Sequence, residues 1–100
     1  MADIPIACAL PPDEFGARRD DLLPGLLRRS TASVETAAGF SYRFESAPDL
    51  LTAIALVLQR ERDCCRFFRF VVTLEPDLGP IWLDVSGPPG TKAFLADLLA

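Results

Sequence analysis

The chain has 100 residues, of which 50% are hydrophobic and 24% charged; its formal net charge is −4 and it contains no histidine. This length and composition predict one folded domain rather than a disordered segment. The acidic balance offers no basic patch, so we expect no nucleic-acid partner. The lack of histidine excludes Cys–His and Ser–His catalysis and every imidazole metal site.

The first half of the chain predicts a strand, a helix and a hairpin. "DIPIACAL" is interpreted as a first strand. "DEFGARRDDLLPGLLRR" has apolar residues at helical spacing, and the Pro24-Gly25 step predicts a kink or break in that helix. "SVETAAGFSYRFES" predicts a hairpin that turns near Ala38-Gly39, because apolar and polar residues alternate in its second arm.

The second half predicts a helix, a second hairpin and a closing helix. Ser46 and Asp49 have the spacing of a capping box, so a helix is expected from there to about Cys65. "FFRFVVTLE" and "GPIWLDVS" predict two strands around a turn at 76–79. "GPPGTKAFLADLLA" predicts a loop followed by a short helix.

The predicted order is β-α-β-β-α-β-β-α, in one α+β domain spanning 1–100. Helices that alternate with hairpins favour a two-layer sandwich: an antiparallel-rich sheet of about four or five strands with helices on one face. If each element reverses the direction of the last, Cys8, Cys64 and Cys65 lie at the same end of the molecule as the loop 87–90.

The sequence also predicts where the protein resides and what it contacts. No apolar run reaches the roughly 18 residues of a membrane helix, and the N-terminus lacks the basic start of a signal peptide, so we expect a cytoplasmic protein with no membrane partner. The sheet face opposite the helices is predicted to carry Phe67, Arg69, Val71 and Trp82. A half-apolar face of this kind favours a homodimer through the open sheet face; a ligand-binding floor and a plainly exposed face are the alternatives.

The segment "ERDCCRFFRF" contains the candidate site. Glu61 lies on the apolar face of its helix, and Cys64 and Cys65 flank its direction one turn later. A carboxylate on the core side is costly unless it is paired, protonated or bound; in the alternative interpretation, the helix overruns the sheet and Glu61 lies in water or pairs with an arginine.

The three cysteines predict thiols rather than a disulfide framework, because an odd count in a reducing compartment argues against one. Neighbouring Cα atoms about 3.8 Å apart would strain a bond between Cys64 and Cys65. Cys8, Cys64 and Cys65 could instead hold one soft ion, with Glu61 as an auxiliary ligand. Thiolates select zinc or copper(I) and, by the same logic, mercury(II) or arsenic(III).

The pattern C-x-L at Cys8, followed by E-R-x-C-C-x-F-x-x-F from Glu61 to Phe70 and "SGPPGTKAFL", resembles a family of small uncharacterised bacterial proteins. The resemblance covers nearly the whole chain. It implies that Cys8, Glu61, Cys64 and Cys65 act together, without implying an activity.

Three functions therefore stay open. The leading hypothesis is a thiolate-based binder of a soft metal or metalloid ion. The first alternative is a dimeric interaction or regulatory module whose cysteines are only packed, since free cysteine behaves as a small hydrophobe. The second is a thiol redox enzyme or sensor, with Cys64 or Cys65 as the nucleophile and Glu61 as the base.

Overall fold

The computed structural model describes residues 23–99, without the side chain of Cys64. The predicted first strand and the start of the first helix lie outside the described residues. The elements, numbered in chain order, are α1 (Leu23–Leu27), β1 (Ala32–Glu35), β2 (Gly39–Phe44), α2 (Leu50–Cys64), β3 (Arg69–Leu74), β4 (Ile81–Ser86) and α3 (Thr91–Leu98).

The strands form one antiparallel sheet, which confirms the predicted α+β class. Its order is β1-β2-β4-β3. Strand β4 therefore lies between β3, its own hairpin partner, and β2 of the first hairpin. Tyr42 and Val72 both pair with Leu83. This register aligns the alternating apolar residues of the three strands on one side of the sheet.

The helices cover that side and complete the core. Leu83 and Val85 on the central strand have no exposed surface, and Ile54 of α2 has 1%. The buried set of this cluster is Leu23, Leu26, Leu27, Tyr42, Phe44, Leu50, Ile54, Ile81, Leu83, Val85, Leu95 and Leu98. All three described helices contribute to it, so the predicted two-layer arrangement with helices on one face is correct.

One local prediction about the helices is wrong, and another stays a prediction. The chain is helical through Pro24 and Gly25, and the Arg28 N–H donates to the Pro24 carbonyl at 3.1 Å. Because α1 is described only from Leu23 onward, the predicted kink or break at this step stays a prediction. Helix α2 is capped by Asp49, whose side chain makes no capping hydrogen bond, rather than by Ser46. The Leu50 N–H instead donates to the Ala47 carbonyl at 3.2 Å, which closes a turn through Pro48 ahead of the helix.

The two hairpins turn close to where the sequence predicts. The first is closed by the Thr36 N–H donating to the Gly39 carbonyl at 2.9 Å. In the second, Asp77 and Leu78 have φ of 59° and 56°, a left-handed conformation that is strained for a leucine. Near the first hairpin, the Lys92 ammonium of α3 contacts Glu35 at 2.8 Å, and this hydrogen bond lowers the pKa of the Glu35 carboxyl.

The open sheet face differs from its prediction at one residue. Phe67 precedes β3 and is only 4% exposed, so it does not lie on that face. The chain turns after α2, where the Phe68 N–H donates to the Cys65 carbonyl at 3.4 Å, and the strand alternation starts only at Arg69. Trp82 is partly buried, and Val71 is 41% exposed. The homodimer through this face stays a prediction.

None of the helices in the described residues is long and apolar enough to cross a membrane.

Candidate functional site

The core-facing stripe of α2 ends in an acid and a cysteine. Leu50 and Ile54 begin the stripe, and Glu61 and Cys65 continue it with 3% and 2% of their surface exposed. The Cys65 N–H donates to the Glu61 carbonyl at 2.7 Å, so the two residues are one helical turn apart. Residues four apart lie on the same helix face, which directs both side chains toward the interior.

The Glu61 carboxylate connects α2 to α1. Its Oε1 accepts a hydrogen bond from the Leu23 N–H at 3.2 Å. A buried carboxylate is costly unless hydrogen bonds or charges compensate it, and a backbone amide is one such donor. The interpretation that Glu61 lies in water is therefore wrong, and Glu61 has a structural contact in addition to any chemical role.

An aromatic cluster surrounds Cys65. Cys65 and Phe67 are both buried, and Phe68 and Phe94 pack against them. The rings of Phe67 and Phe94 meet edge to face, with centroids 5.3 Å apart. These contacts give Cys65 an apolar environment, which raises the cost of an isolated thiolate and favours a bound or bonded sulfur.

The loop before α3 also contacts this cluster. A Cβ added to Gly87 would lie 2.9 Å from the Phe67 carbonyl oxygen, so Gly87 and Phe67 pack backbone to backbone. The loop 87–90 therefore lies beside the chain that follows the cysteine pair, and this part of the predicted end-of-molecule arrangement is confirmed. Phe94 of α3 is the contributor that sequence reasoning missed, because its helical position indicates only a core residue.

Cys65 is disulfide-bonded. This differs from the expectation that the cysteines remain thiols. An odd number of cysteines excludes only a fully paired set; it does not prevent two sulfurs from meeting. In this state the Cys65 sulfur is not a thiolate, and it must be reduced before it can act as one.

Only part of the predicted three-cysteine site lies within the described residues. Cys64 ends α2, but its side chain is outside the described residues, as is all of Cys8. Within residues 23–99, apart from that side chain, no group of three or more Cys, Asp or Glu side chains could hold a metal ion. Glu61 and Cys65 are the members whose burial is described; Glu61 lies in the last turns of α2, and Cys65 is its C-cap residue.

An open groove of about 650 Å³ runs along the same end of α2. Its polar lining includes the exposed residues Arg62, Asp63 and Arg66, and the Arg66 Nε donates to the Asp63 carbonyl at 3.4 Å. Arginines near a thiol favour its thiolate, whereas the negative end of the helix dipole opposes it. The groove thus gives the end of α2 a charged surface with two arginines and one aspartate, on residues neighbouring Cys65 in the chain.

Comparisons with protein-family models, with curated proteins and with solved structures found no match.

Proposed function

We propose that this protein binds a soft metal or metalloid ion through cysteine thiolates. Cys65 and Cys64 are the central ligands, Cys8 is the third, and Glu61 is auxiliary. Zinc, copper(I), mercury(II) and arsenic(III) are the candidate ions, because thiolates select soft ions. One observation carries the proposal: Cys65 is buried beside Glu61, and its sulfur is already bonded to a second sulfur.

Two sulfurs that bond when oxidised are well placed to share an ion when reduced. Zinc–sulfur bonds of about 2.3 Å in a tetrahedral site put two sulfur ligands roughly 3.8 Å apart. Only a small outward movement separates this arrangement from a disulfide. An external dithiol must therefore first reduce the Cys65 disulfide to two thiols, becoming a disulfide itself, and the ion then displaces the protons of the resulting thiols.

The apolar surroundings of Cys65 support binding of an ion rather than a free thiolate. Phe67, Phe68 and Phe94 keep the sulfur away from water, and a cation neutralises charge that would otherwise be buried. Glu61 is the weaker candidate ligand, because a hard carboxylate contributes little to a soft ion. Its hydrogen bond from Leu23 also uses part of its accepting capacity.

The test is an affinity measurement on the reduced protein, by competition with a chromophoric chelator for zinc or mercury(II). Cys65→Ser and Cys64→Ser should each weaken binding at least about a hundredfold, and Glu61→Gln less than about tenfold. Affinity should fall as the pH drops, because protons compete for sulfur. Unchanged affinity in both serine variants would exclude the proposed ligands.

The Cys65 disulfide favours a second function, thiol redox chemistry. In that function Cys64 or Cys65 is the nucleophile and Glu61 takes the proton of the attacking thiol. Alkylation rates of the reduced protein separate the two functions. Glu61→Gln should slow alkylation strongly if Glu61 is the base, and should leave the rate nearly unchanged if the site is built for an ion.

The packed-cysteine interaction module is the remaining alternative. It requires that native protein in reductant bind no soft ion and that its thiols resist alkylation until the chain unfolds. The aromatic packing around Cys65 is compatible with such a role. Thiol counting in native and denatured protein therefore tests all three functions together.

A further inference from the structure

Within residues 23–99, the outer edge of strand β3 is an open hydrogen-bonding edge of the sheet. Among the described residues β3 pairs only with β4, in an unbroken register from Arg69 to Leu74. Natural proteins commonly protect such edges with lysine, proline or a bulge. Strand β3 has none of these, and Val71, Val72 and Leu74 are 41%, 37% and 55% exposed.

The hydrogen bond at the end of β3 establishes which backbone groups face outward. The Glu75 N–H donates to the Pro80 carbonyl at 3.3 Å, across the hairpin. Hydrogen-bonded and non-hydrogen-bonded positions alternate along an antiparallel strand. Thr73 and Val71 therefore direct their backbone groups to β4. The N–H and C=O groups of the alternate residues, Phe70, Val72 and Leu74, point away from β4.

We propose that a second copy of this chain occupies this edge, with the two β3 strands antiparallel across a two-fold axis at Val72. In this register Val72 pairs with the partner's Val72, and Phe70 pairs with the partner's Leu74. All outward backbone groups of β3 then find partners, because each such pair exchanges two hydrogen bonds. The two four-stranded sheets become one continuous sheet.

The charges at the ends of β3 fit the same register. Arg69 lies directly opposite the partner's Glu75, and the two-fold axis creates this pair twice. Both residues are exposed and lie on the same sheet face, on either side of Val71 and Thr73. Opposite charges across antiparallel strands stabilise the pairing, and like charges destabilise it.

Shifting the two β3 strands relative to each other gives less favourable pairing. A shift by two residues in one direction places Phe70 opposite the partner's Pro76, which has no N–H to donate. The opposite shift places Leu74 against the partner's Phe68, which precedes the strand. The register centred on Val72 is therefore the one that satisfies both the backbone and the charges.

Charge-reversal variants of the full chain test the proposal by sedimentation velocity in reductant, which prevents disulfides between chains. The wild type should dimerise. Arg69→Glu and Glu75→Arg should each weaken association at least about tenfold, because each places like charges opposite one another twice. The double variant should recover association to within about threefold of wild type, since it restores the opposite charges.

Val72→Pro is an independent variant. It removes an outward N–H without removing a hydrogen bond to β4, so it should abolish the dimer while circular dichroism shows a folded monomer. A wild-type monomer at high concentration, or no recovery in the double variant, would overturn the proposal. Dissociation by Trp82→Ala without an effect of the β3 variants would place the interface on the open sheet face instead.

Discussion

At the residue scale, Glu61 and Tyr42 are the buried polar groups whose environments make measurable differences. Glu61 lies on the core side of α2 with its carboxylate bonded to the Leu23 amide. Tyr42 is 2% exposed in the middle of the core. Both residues lie at buried positions where an apolar residue is usual. A change in the charge or shape of either side chain should therefore change the stability of the fold.

Replacing Glu61 should separate its structural contact from its chemistry. Glu61→Leu removes the acceptor of the Leu23 N–H and should lower the free energy of unfolding by about 1–3 kcal/mol. Glu61→Gln keeps a carbonyl acceptor at the same place and should cost less. Urea unfolding of both variants in reductant measures the difference, and equal stabilities would show that the Leu23 contact contributes nothing.

Tyr42 should make the fold sensitive to alkali. Burial raises the pKa of its phenol from 10.0 to about 12. The unfolded chain therefore loses this proton at lower pH than the folded one, so the stabilisation is complete below pH 10.0 and is lost as pH rises toward about 12. Tyr42 is the only tyrosine in the chain, so tyrosinate absorbance reports it alone.

The expected loss is at most about 3 kcal/mol, since each pKa unit corresponds to roughly 1.4 kcal/mol. Tyr42→Phe is the control, because it keeps the ring and removes the ionisable group. Its free energy of unfolding should lack the alkaline decrease attributed to Tyr42. A tyrosinate transition near pH 10.0 in the folded protein would contradict the burial argument.

At the element scale, two hairpin positions show how backbone geometry constrains the sheet. Gly39 begins β2 directly against β4, and an added Cβ would lie only 1.8 Å from the Val85 carbonyl oxygen. Leu78 in the second turn has a left-handed backbone and an 88% exposed side chain. Only glycine fits at position 39 without a steric clash. At position 78, glycine should be more stable than leucine.

Gly39→Ala should therefore destabilise the fold by about 1–3 kcal/mol or more, because the sheet must open to admit the methyl group. The exposed turn residue Ala37 provides a matched control, and Ala37→Ser should change stability by less than about 0.5 kcal/mol. Thermal unfolding compares the two variants. An unchanged midpoint for Gly39→Ala would mean that β2 and β4 are not as close as described.

Leu78→Gly should change the stability of the fold in the opposite direction. It relieves the left-handed strain of a leucine and should raise the free energy of unfolding by about 0.5–1 kcal/mol, despite the greater entropy of an unfolded glycine. Leu78→Ala keeps a Cβ and serves as the control, with little gain expected. Destabilisation by glycine would indicate that the exposed leucine side chain makes a stabilising contact.

At the scale of the whole molecule, the fold could be predicted further than the site. Period-two alternation at Phe40 to Phe44 and Ile81 to Val85 was enough to predict the hairpins and the buried sheet face. Phe67 does not lie on the predicted open face, because the chain turns there as it leaves α2 and the alternation of β3 starts only at Arg69. The kink or break at Pro24-Gly25 stays a prediction, because α1 is described only from Leu23 onward.

For the site, the sequence predicts only which face of α2 carries Glu61. The periodicity of α2 predicted that Glu61 faces the core, and its 3% exposure agrees. The oxidation of Cys65 and the contribution of Phe94 depend on which segments meet in space, and no local pattern encodes that. Cys8 and the Cys64 side chain lie outside the described residues, so their part in the site stays a prediction.

The most direct measurement of the central claim is native mass spectrometry of the full chain before and after reduction, with added zinc or mercury(II). Our proposal predicts no bound ion while Cys65 is oxidised. After reduction it predicts one bound ion per chain, with all three thiols protected from alkylation. In Cys65→Ser, which lacks one of the ligands, the chain should bind the ion less well. A reduced chain that binds no ion, or that binds one equally well without Cys65, would contradict it.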